Sequence, residues 1–317
     1  MTASTLDLRQ QLRLPLVAAP MFLLSGPALV TAAIRCGIVG ALPALNARTS
    51  HDLDTWLADI NAVRSASASE GKQVGLPALN IITHPSNDRF AADLDVCINH
   101  RVPLVVSAVG SPARLVDPVH RYGGAVFADV SSVLHARKAA AAGVDGLILL
   151  CSGAGGNTGR LSPFAFVEEV RKFFDGPVGV AGAVGNGAAL RALEVLGADF
   201  GYAGTAFIAT TESQADDAYR AMVVEAGADD IEQSSAVSGI AANFLRKSLD
   251  RIRHRLAGTP GSFDIAQEQD NLKRWRDIWS AGHGVGAVSA IEATAAVVDR
   301  MELEYRRAGG TGGWAHR

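Results

Sequence analysis

The sequence predicts a closed (β/α)8 barrel with a mostly helical insertion after the eighth strand. Three observations carry that expectation. Eight short runs rich in Val, Ile, Leu and Ala recur over the first part of the chain, longer segments of helical period separate them, and three of those segments stop at a glycine directly before the next run. Continuous apolar strands are buried on both faces, the condition of parallel pairing with right-handed crossovers. Eight such units within roughly 210 residues fit a barrel. A doubly wound open sheet is the competing topology.

In chain order the runs are LPLVAAP (14–20), GIVGAL (37–42), QVGLPALN (73–80), PLVVSAVG (103–110), GAVFADV (124–130), DGLILLCS (145–152), GPVGVAGAV (176–184) and FGYAGTAF (200–207). Helical candidates between them include PALVTAAIRC, SSVLHARKAAAAG, SPFAFVEEVRKFF and NGAALRALEVLG. Gly37, Gly143 and Gly197 end three crossover helices, because glycine tolerates the left-handed conformation that stops a helix. AAGVDGLIL and VLGADFGYAG are alike in form, which reads as a shared helix-to-strand turn and not as a repeat. After position 212 the rhythm changes: 214–283 carries more charge and reads as a helical insertion beside the barrel mouth, with a loop at AGTPGSFD. GVGAVSAIEATAAVVDRMELEYRRA reads as a closing amphipathic helix. The expected organisation is therefore a barrel of 1–213 and 284–308, an insertion of 214–283 that shapes the substrate pocket, and a flexible tail of 309–317.

The composition is that of a globular protein: 48% hydrophobic and 19% charged over 317 residues, long enough for a large core. A net charge of −3 gives no general reason to expect nucleic acid or an anionic membrane as partner. Cys36, Cys97 and Cys151 are odd in number and far apart, which points to a reducing compartment and away from a disulfide framework. No metal pattern is visible. The start lacks the apolar core of a signal peptide and no apolar run reaches membrane-spanning length, so the expectation is cytoplasmic.

In such barrels the site is built from the loops that follow the strands. Met21 and Phe22 follow Pro20 at the end of the first strand and read equally as a wall against a flat ring or as a capped barrel end. Asn80 and Ser107 finish the third and fourth strands, where a polar side chain serves a ligand or starts a turn. AGAVGNG (181–187) and AGTAFIATTES (203–213) place glycines after strands seven and eight. Gly182, Gly185, Gly204 and Thr205 there expose backbone N–H groups suited to a phosphate dianion, the alternative being tight turns. Neither segment is a dinucleotide fingerprint or a Walker loop. LILLCSGAGGNTGRLSPF runs from the sixth strand into a glycine-rich loop, with Ser162 and Pro163 as N-cap and first residue of the next helix. Asn157 on that loop offers a donor and an acceptor to a substrate oxygen, or is an ordinary turn residue. His51, His84, His100, His120 and His135 read as surface residues. Cys151 near the mouth reads as packing, with no neighbouring base or CxxC partner.

Taken together, PLVAAPMFLLSGPALVTAAIRCGIVGALPALNARTSHDL, GAGGNTGRLSPFAFVEEVR, GTAFIATTES, GIAANFLRKSL and WSAGHGVG resemble the FMN-dependent nitronate monooxygenase family, once called 2-nitropropane dioxygenases, over nearly the whole chain. Flavin-dependent enoyl and quinone reductases are its relatives. The resemblance implies a TIM barrel, one noncovalent FMN, and cofactor contacts from Ala19, Pro20, Met21, Asn80, Ser107, Asp129, Gly155, Gly156, Gly182, Ala183, Gly204, Thr205, Gly282, His283 and Gly284. Phe22, Asn157, Ser162 and Asn243 are the expected substrate contacts. Two departures stand out. The family's GAGGH is GAGGN here, so Asn157 occupies the place of the catalytic base, and FHDV is FADV, leaving Ala128. His283 replaces the usual glutamine of AGQGVG. An asparagine accepts no proton at physiological pH, so removal of an α-proton from a neutral nitroalkane loses its base. The expected activity is oxidation of an alkyl nitronate or similar stabilised carbanion, with O2 as electron acceptor. The alternatives are an NAD(P)H-dependent reductase of quinones or enoyl thioesters, and a specialised biosynthetic or non-catalytic flavin-binding descendant. Monomer and homodimer are both expected forms.

Overall fold

The computed structural model describes residues 8–237, 239–251 and 278–309. Its strands, in chain order, are β1 (Leu16–Ala18), β2 (Val39–Pro43), β3 (Pro77–Ile82), β4 (Leu104–Ala108), β5 (Ala125–Val130), β6 (Gly146–Leu150), β7 (Gly156–Asn157), β8 (Val178–Ala181), β9 (Phe200–Ala203), β10 (Ile231–Ser234) and β11 (Ala242–Leu245). All but β7, β10 and β11 are parallel and close into a barrel in the order β1-β2-β3-β4-β5-β6-β8-β9. The three others form a separate antiparallel sheet in the order β10-β11-β7. All eight expected barrel strands are present. The eighth is shorter than its apolar run, because Thr205–Ile208 has already turned into a helix.

Helices α1 (Leu8–Gln11), α2 (Pro27–Arg35), α3 (Ser50–Ser69), α4 (Phe90–Asn99), α5 (Ala113–Arg121), α6 (Val133–Ala141), α7 (Pro163–Arg171), α8 (Gly187–Leu196) and α9 (Thr205–Ile208) precede, connect and follow the barrel strands. Gly37, Gly143 and Gly197 have φ of +77°, +87° and +100°, the left-handed stops that the sequence predicts. The two similar helix-to-strand phrases share a physical device. Asp145 accepts from Val126 N at 2.7 Å and pairs with His120, while Asp199 accepts from Val178 N at 2.8 Å and pairs with Arg171. Each aspartate satisfies the orphan N–H near the start of a neighbouring strand and ties down the preceding helix.

Alternation along the strands sorts the core into two shells. Val105, Val126, Leu147 and Val180 face the helices, and Val106, Phe127, Ile148 and Phe200 face the barrel lumen. Leu8 and Leu12 join the lumen cluster with Leu76, Leu104 and Ala125, so α1 plugs the amino-terminal end. Higher up, Phe127 and Phe200 stack across the lumen with centroids 5.8 Å apart and planes at 25°. Glycine on the adjacent strands makes room: a Cβ on Gly146 would lie 2.5 Å from the Phe127 ring, and one on Gly179 would lie 2.1 Å from the Phe200 ring.

The segment expected as a mostly helical insertion gives α10 (Asp217–Glu225) and α11 (Arg246–Asp250), and also the strands β10 and β11. The loop expected at 257–264 lies outside the described residues, as do 310–317 of the expected tail. Tyr219 of α10 stacks on Trp279 at 5.0 Å, tying this region to the 278–288 segment. The closing helix runs Thr294–Arg307 and starts later than expected. His283–Ala287 is a 3-10 turn instead, since two glycines there oppose a regular helix.

The stacked pair gives a direct test. Gly179→Ala forces a methyl into the Phe200 ring and is expected to cost about 1–3 kcal/mol in urea unfolding. In a Phe200→Leu background the same substitution should cost much less, and equal penalties in both backgrounds would mean that the two positions do not share this space.

Candidate active site

The lumen changes character above the stacked rings. One side-chain layer further along the same two strands, Phe127 gives way to Asp129 and Phe200 to Tyr202. Small residues, Ala19 and Ala181, face the lumen at this level, and Asn80 shares the parity of lumen-facing Ala78. Among the described residues Asn80's amide has no partner. Asp129 Oδ1 and the Tyr202 hydroxyl are buried without a hydrogen bond. Unpaired buried polar atoms are uncommon and point to a missing ligand or solvent partner. Burial raises the Asp129 carboxyl to about 7, and burial, reinforced by the Asp129 charge, holds the Tyr202 phenol well above its usual value.

The rim is made of backbone packed on backbone. The loops 153–155, 183–185 and 281–284 meet so closely that a Cβ on Gly282 would lie 2.4 Å from Gly153 O, and one on Gly185 would lie 2.7 Å from Gly284 O. Thr205 Oγ1 accepts from Gly282 N at 2.9 Å, and Gly153 O accepts from His283 N at 2.9 Å. Gly182 and Ala183 have φ of +143° and +55°. The N–H groups of Gly182, Ala183 and Gly204 have no acceptor among the described residues. Unpaired amides on a glycine-rich rim suit an anion.

Met21 closes the rim over β9, with Cγ and Sδ at 3.5 and 3.6 Å from where a Gly204 Cβ would stand. Asn46 holds that loop in place. It accepts from Leu23 N at 2.9 Å and donates to the carbonyls of Met21 and Ser25 at 2.9 and 2.8 Å. It follows the apolar β2 just as Asn80 finishes the run of β3, a cue that sequence reasoning passed over. Pro20 and Phe22 are half-buried beside Met21.

Asn157 sits where the barrel meets the small sheet. Its backbone pairs with Ala242, and Gly156 pairs with Asn243, so β11 fixes the position of the glycine-rich loop. Gly155 approaches Gly282 N, which a Cβ on it would crowd at 2.7 Å, and Gly156 has φ +63°. Thr158 is buried, donates to Cys151 O at 2.9 Å and accepts weakly from Asn243 at 3.4 Å. Asn157's own amide is half-buried and makes no hydrogen bond with the described residues. The loop is thus pinned on both sides of an amide that remains available.

The structure gathers Ala19, Met21, Asn80, Asp129, Gly155, Gly182, Ala183, Gly204, Thr205, Gly282 and Gly284 around one mouth. Three expected contacts sit differently. Ser107 has the helix-facing parity of Val105, is buried, and its hydroxyl pairs with Thr83 Oγ1 at 3.2 Å. Ser162 caps α7 from an exposed position, accepting from Ala165 N. Asn243 is buried and spends its amide on Ala154 O at 2.7 Å. His283 is exposed on the rim. Ala128 faces the helices, so the substitution noted there does not open onto the lumen. Burial raises the Cys151 thiol to about 12, which leaves it protonated and inert. Tyr202 was missed altogether, although the two-residue period from Phe200 places it in the lumen.

A barrel whose described residues leave backbone amides unpaired at the rim and polar groups unpaired in the lumen has a mouth suited to an anionic ligand. A family model described as nitronate monooxygenase matches residues 8–268, and the chain belongs to that family of flavin-dependent oxidoreductases. A nitronate monooxygenase of Paraburkholderia phytofirmans is 26% identical over 338 residues, covering 92% of each chain. A candidate monooxygenase of Mycobacterium tuberculosis is 32% identical over 165 residues, and the match spans 51% of this chain and 44% of that protein. The structure of a nitroalkane oxidase from Streptomyces ansochromogenes superposes with a TM-score of 0.81 at 22% identity, covering 95% of this chain and 98% of the other, and supports the fold. Among the described residues no helix is long and apolar enough to cross a membrane.

Two measurements probe this site in the protein without cofactor. Asn243→Ala orphans the Ala154 carbonyl and should cost about 1–3 kcal/mol, with protease cutting near 154–158 as the local readout; an unchanged urea midpoint would deny Asn243 its anchoring role. For Asp129, the folded value lies above the ordinary 3.8, so its stabilisation is complete below that value and is lost as pH rises through about 7. The stability of the native protein relative to Asp129→Asn should therefore decline from about pH 4 to pH 7 and then level off. A rising difference would reverse the assignment.

Proposed function

We propose that this protein is an FMN-dependent oxidoreductase that oxidises alkyl nitronates and comparably stabilised small carbanions, with O2 as the final electron acceptor. The observation that carries the reading is Asn157: an amide, held by the β7–β11 ladder at the mouth and free to bind, where general-base chemistry would need a titratable group. An amide hydrogen-bonds a nitro or carboxyl-like oxygen but removes no proton.

The residues present fit FMN. The unpaired amides of Gly182, Ala183 and Gly204 would receive its phosphate, with Thr205, Gly282 and Gly284 closing the cradle behind them. The ring would lie among Ala19, Met21, Asn80 and the polar pair Asp129 and Tyr202, whose orphaned atoms face the lumen. When bound, FMN supplies the two-electron acceptor that amino-acid side chains lack. The chain supplies orientation: Met21, held by Asn46, walls one side, and Asn157 aligns the substrate oxygen from the other.

The test compares a pre-formed nitronate with its neutral nitroalkane. The nitronate should be oxidised at least about a hundredfold more efficiently in kcat/KM, the size of effect a positioned base would otherwise supply. Asn157→Ala should lower kcat/KM for the nitronate about tenfold, the value of one hydrogen bond to a charged group, and Asn157→His should selectively raise turnover of the neutral substrate. Equal rates on both substrates would overturn the reading. Rapid anaerobic bleaching of the flavin by NADH or NADPH, without nitronate turnover, would assign the protein instead to the reductases of quinones or enoyl thioesters.

A further inference from the structure

We propose that Asp129 and Tyr202 form a two-point polar anchor on the lumen floor that hydrogen-bonds the edge of the flavin ring, with Asp129 taking part as the neutral acid. The proposal deepens the FMN reading and rests on it. Its geometry is that of the stacked pair below. Phe127 and Phe200 bring β5 and β9 into contact across the lumen, and the next lumen-facing residue on each strand is Asp129 and Tyr202. Both therefore sit on top of an apolar aromatic floor. Tyr202 is 6% exposed, and its hydroxyl, like Asp129 Oδ1, has no partner among the described residues.

No described residue of the lumen hydrogen-bonds Asp129 Oδ1 or the Tyr202 hydroxyl. On the neighbouring strands β4 and β6 the residues of lumen-facing parity are the apolar Val106, Ala108, Ile148 and Leu150, on β3 the neutral amide Asn80, and on β9 Tyr202, which the Asp129 charge influences. No lysine, arginine or histidine among these lumen-facing residues balances a carboxylate. A protonated carboxyl and a phenol are both donors, so the floor presents two O–H groups to a planar ligand whose ring edge carries carbonyl and imine acceptors. Ionisation of Asp129 removes one donor and places an uncompensated charge against the ring.

The experiment is a fluorescence-quench titration of the apoprotein with FMN at about pH 6 and pH 8.5, for the native protein, Asp129→Asn and Tyr202→Phe. The amide of Asp129→Asn cannot ionise, and the titration of the FMN phosphate is common to all three proteins. The affinity of the native protein relative to Asp129→Asn should thus fall about tenfold between the two pH values. Tyr202→Phe should bind about threefold more weakly at both, with the pH dependence of the native protein retained. The absorption band of bound flavin should move with pH in the native protein and stay fixed in Asp129→Asn. A constant affinity ratio, or Tyr202→Phe binding as tightly as the native protein, would overturn the anchor while leaving the flavin reading intact. Failure of all three proteins to quench FMN would sink the flavin reading, and the anchor with it.

Discussion

Closure of the barrel depends on one short interface between the first and last strands of the ring. Leu16 pairs with Gly201, Val17 with Tyr202 and Ala18 with Ala203, and Ala19 N continues the pairing to Ala203 O at 2.9 Å. Gly201 permits it, because a side chain there would press on Leu190 and Val184 at 2.7 and 2.9 Å. That join sets the chemistry of the mouth. It puts the loop that carries Met21 beside the loop that carries Gly204 and Thr205, so the two ends of the barrel sequence supply one wall of one site. Without closure the unpaired amides of the rim would face solvent as ordinary loop donors, each well hydrated and with little preference for an anion.

A second constraint comes from outside the barrel. The loop after β6 leaves the ring, forms the two-residue strand β7 against β11, and returns to α7, with Ser152 N donating to Leu161 O at 2.8 Å across its base. Asn157 is therefore positioned jointly, by the barrel through that base and by the added sheet through its ladder. The added sheet is anchored in turn: Leu245 N donates to Trp279 O at 2.8 Å, and Trp279 stacks on Tyr219. Residue 157 thus reports on packing that extends through three segments distant in sequence. Rigidity of this kind matters more for an amide than for a base, since an amide contributes only through orientation.

Much of this was legible in the sequence, and the legible parts share a cause. Strands buried on both faces must be apolar throughout, so LVV, GLILL and VGVA announce themselves, and a helix that stops before a strand needs a left-handed residue, so Gly37, Gly143 and Gly197 mark the joints. The close-packed rim was visible because backbone meeting backbone leaves glycine as its trace. What escaped is set by tertiary geometry. Strand β7 is two residues long and has no period to detect. Ser107 and Tyr202 occupy similar places near strand ends, yet one faces the helices and the other the lumen, and that parity is fixed by the register of the ring. Asn46 works through backbone carbonyls of a loop more than twenty residues away. The flavin-binding family was recognisable from ordered blocks, whereas the roles of Asn243 and Ser162 turned on where single amide and hydroxyl groups point.

The polar groups of the mouth divide into two sets with different abilities. At the rim, Asn157 offers a fixed dipole that cannot carry a proton away. Inside, burial in an apolar shell disfavours the charged forms of Asp129 and Tyr202 and raises both above their ordinary values. The rim amide cannot take a proton at any working pH, and both sets can donate hydrogen bonds. On the proposed reading, a substrate that arrives as an anion would need only those donors: its negative oxygen would meet the Asn157 amide, and no proton would have to move for its electrons to leave. On that same reading, an amide at residue 157 would favour a substrate already ionised, while leaving intact the glycine-rich rim, the aromatic floor and the lumen that would hold the electron acceptor.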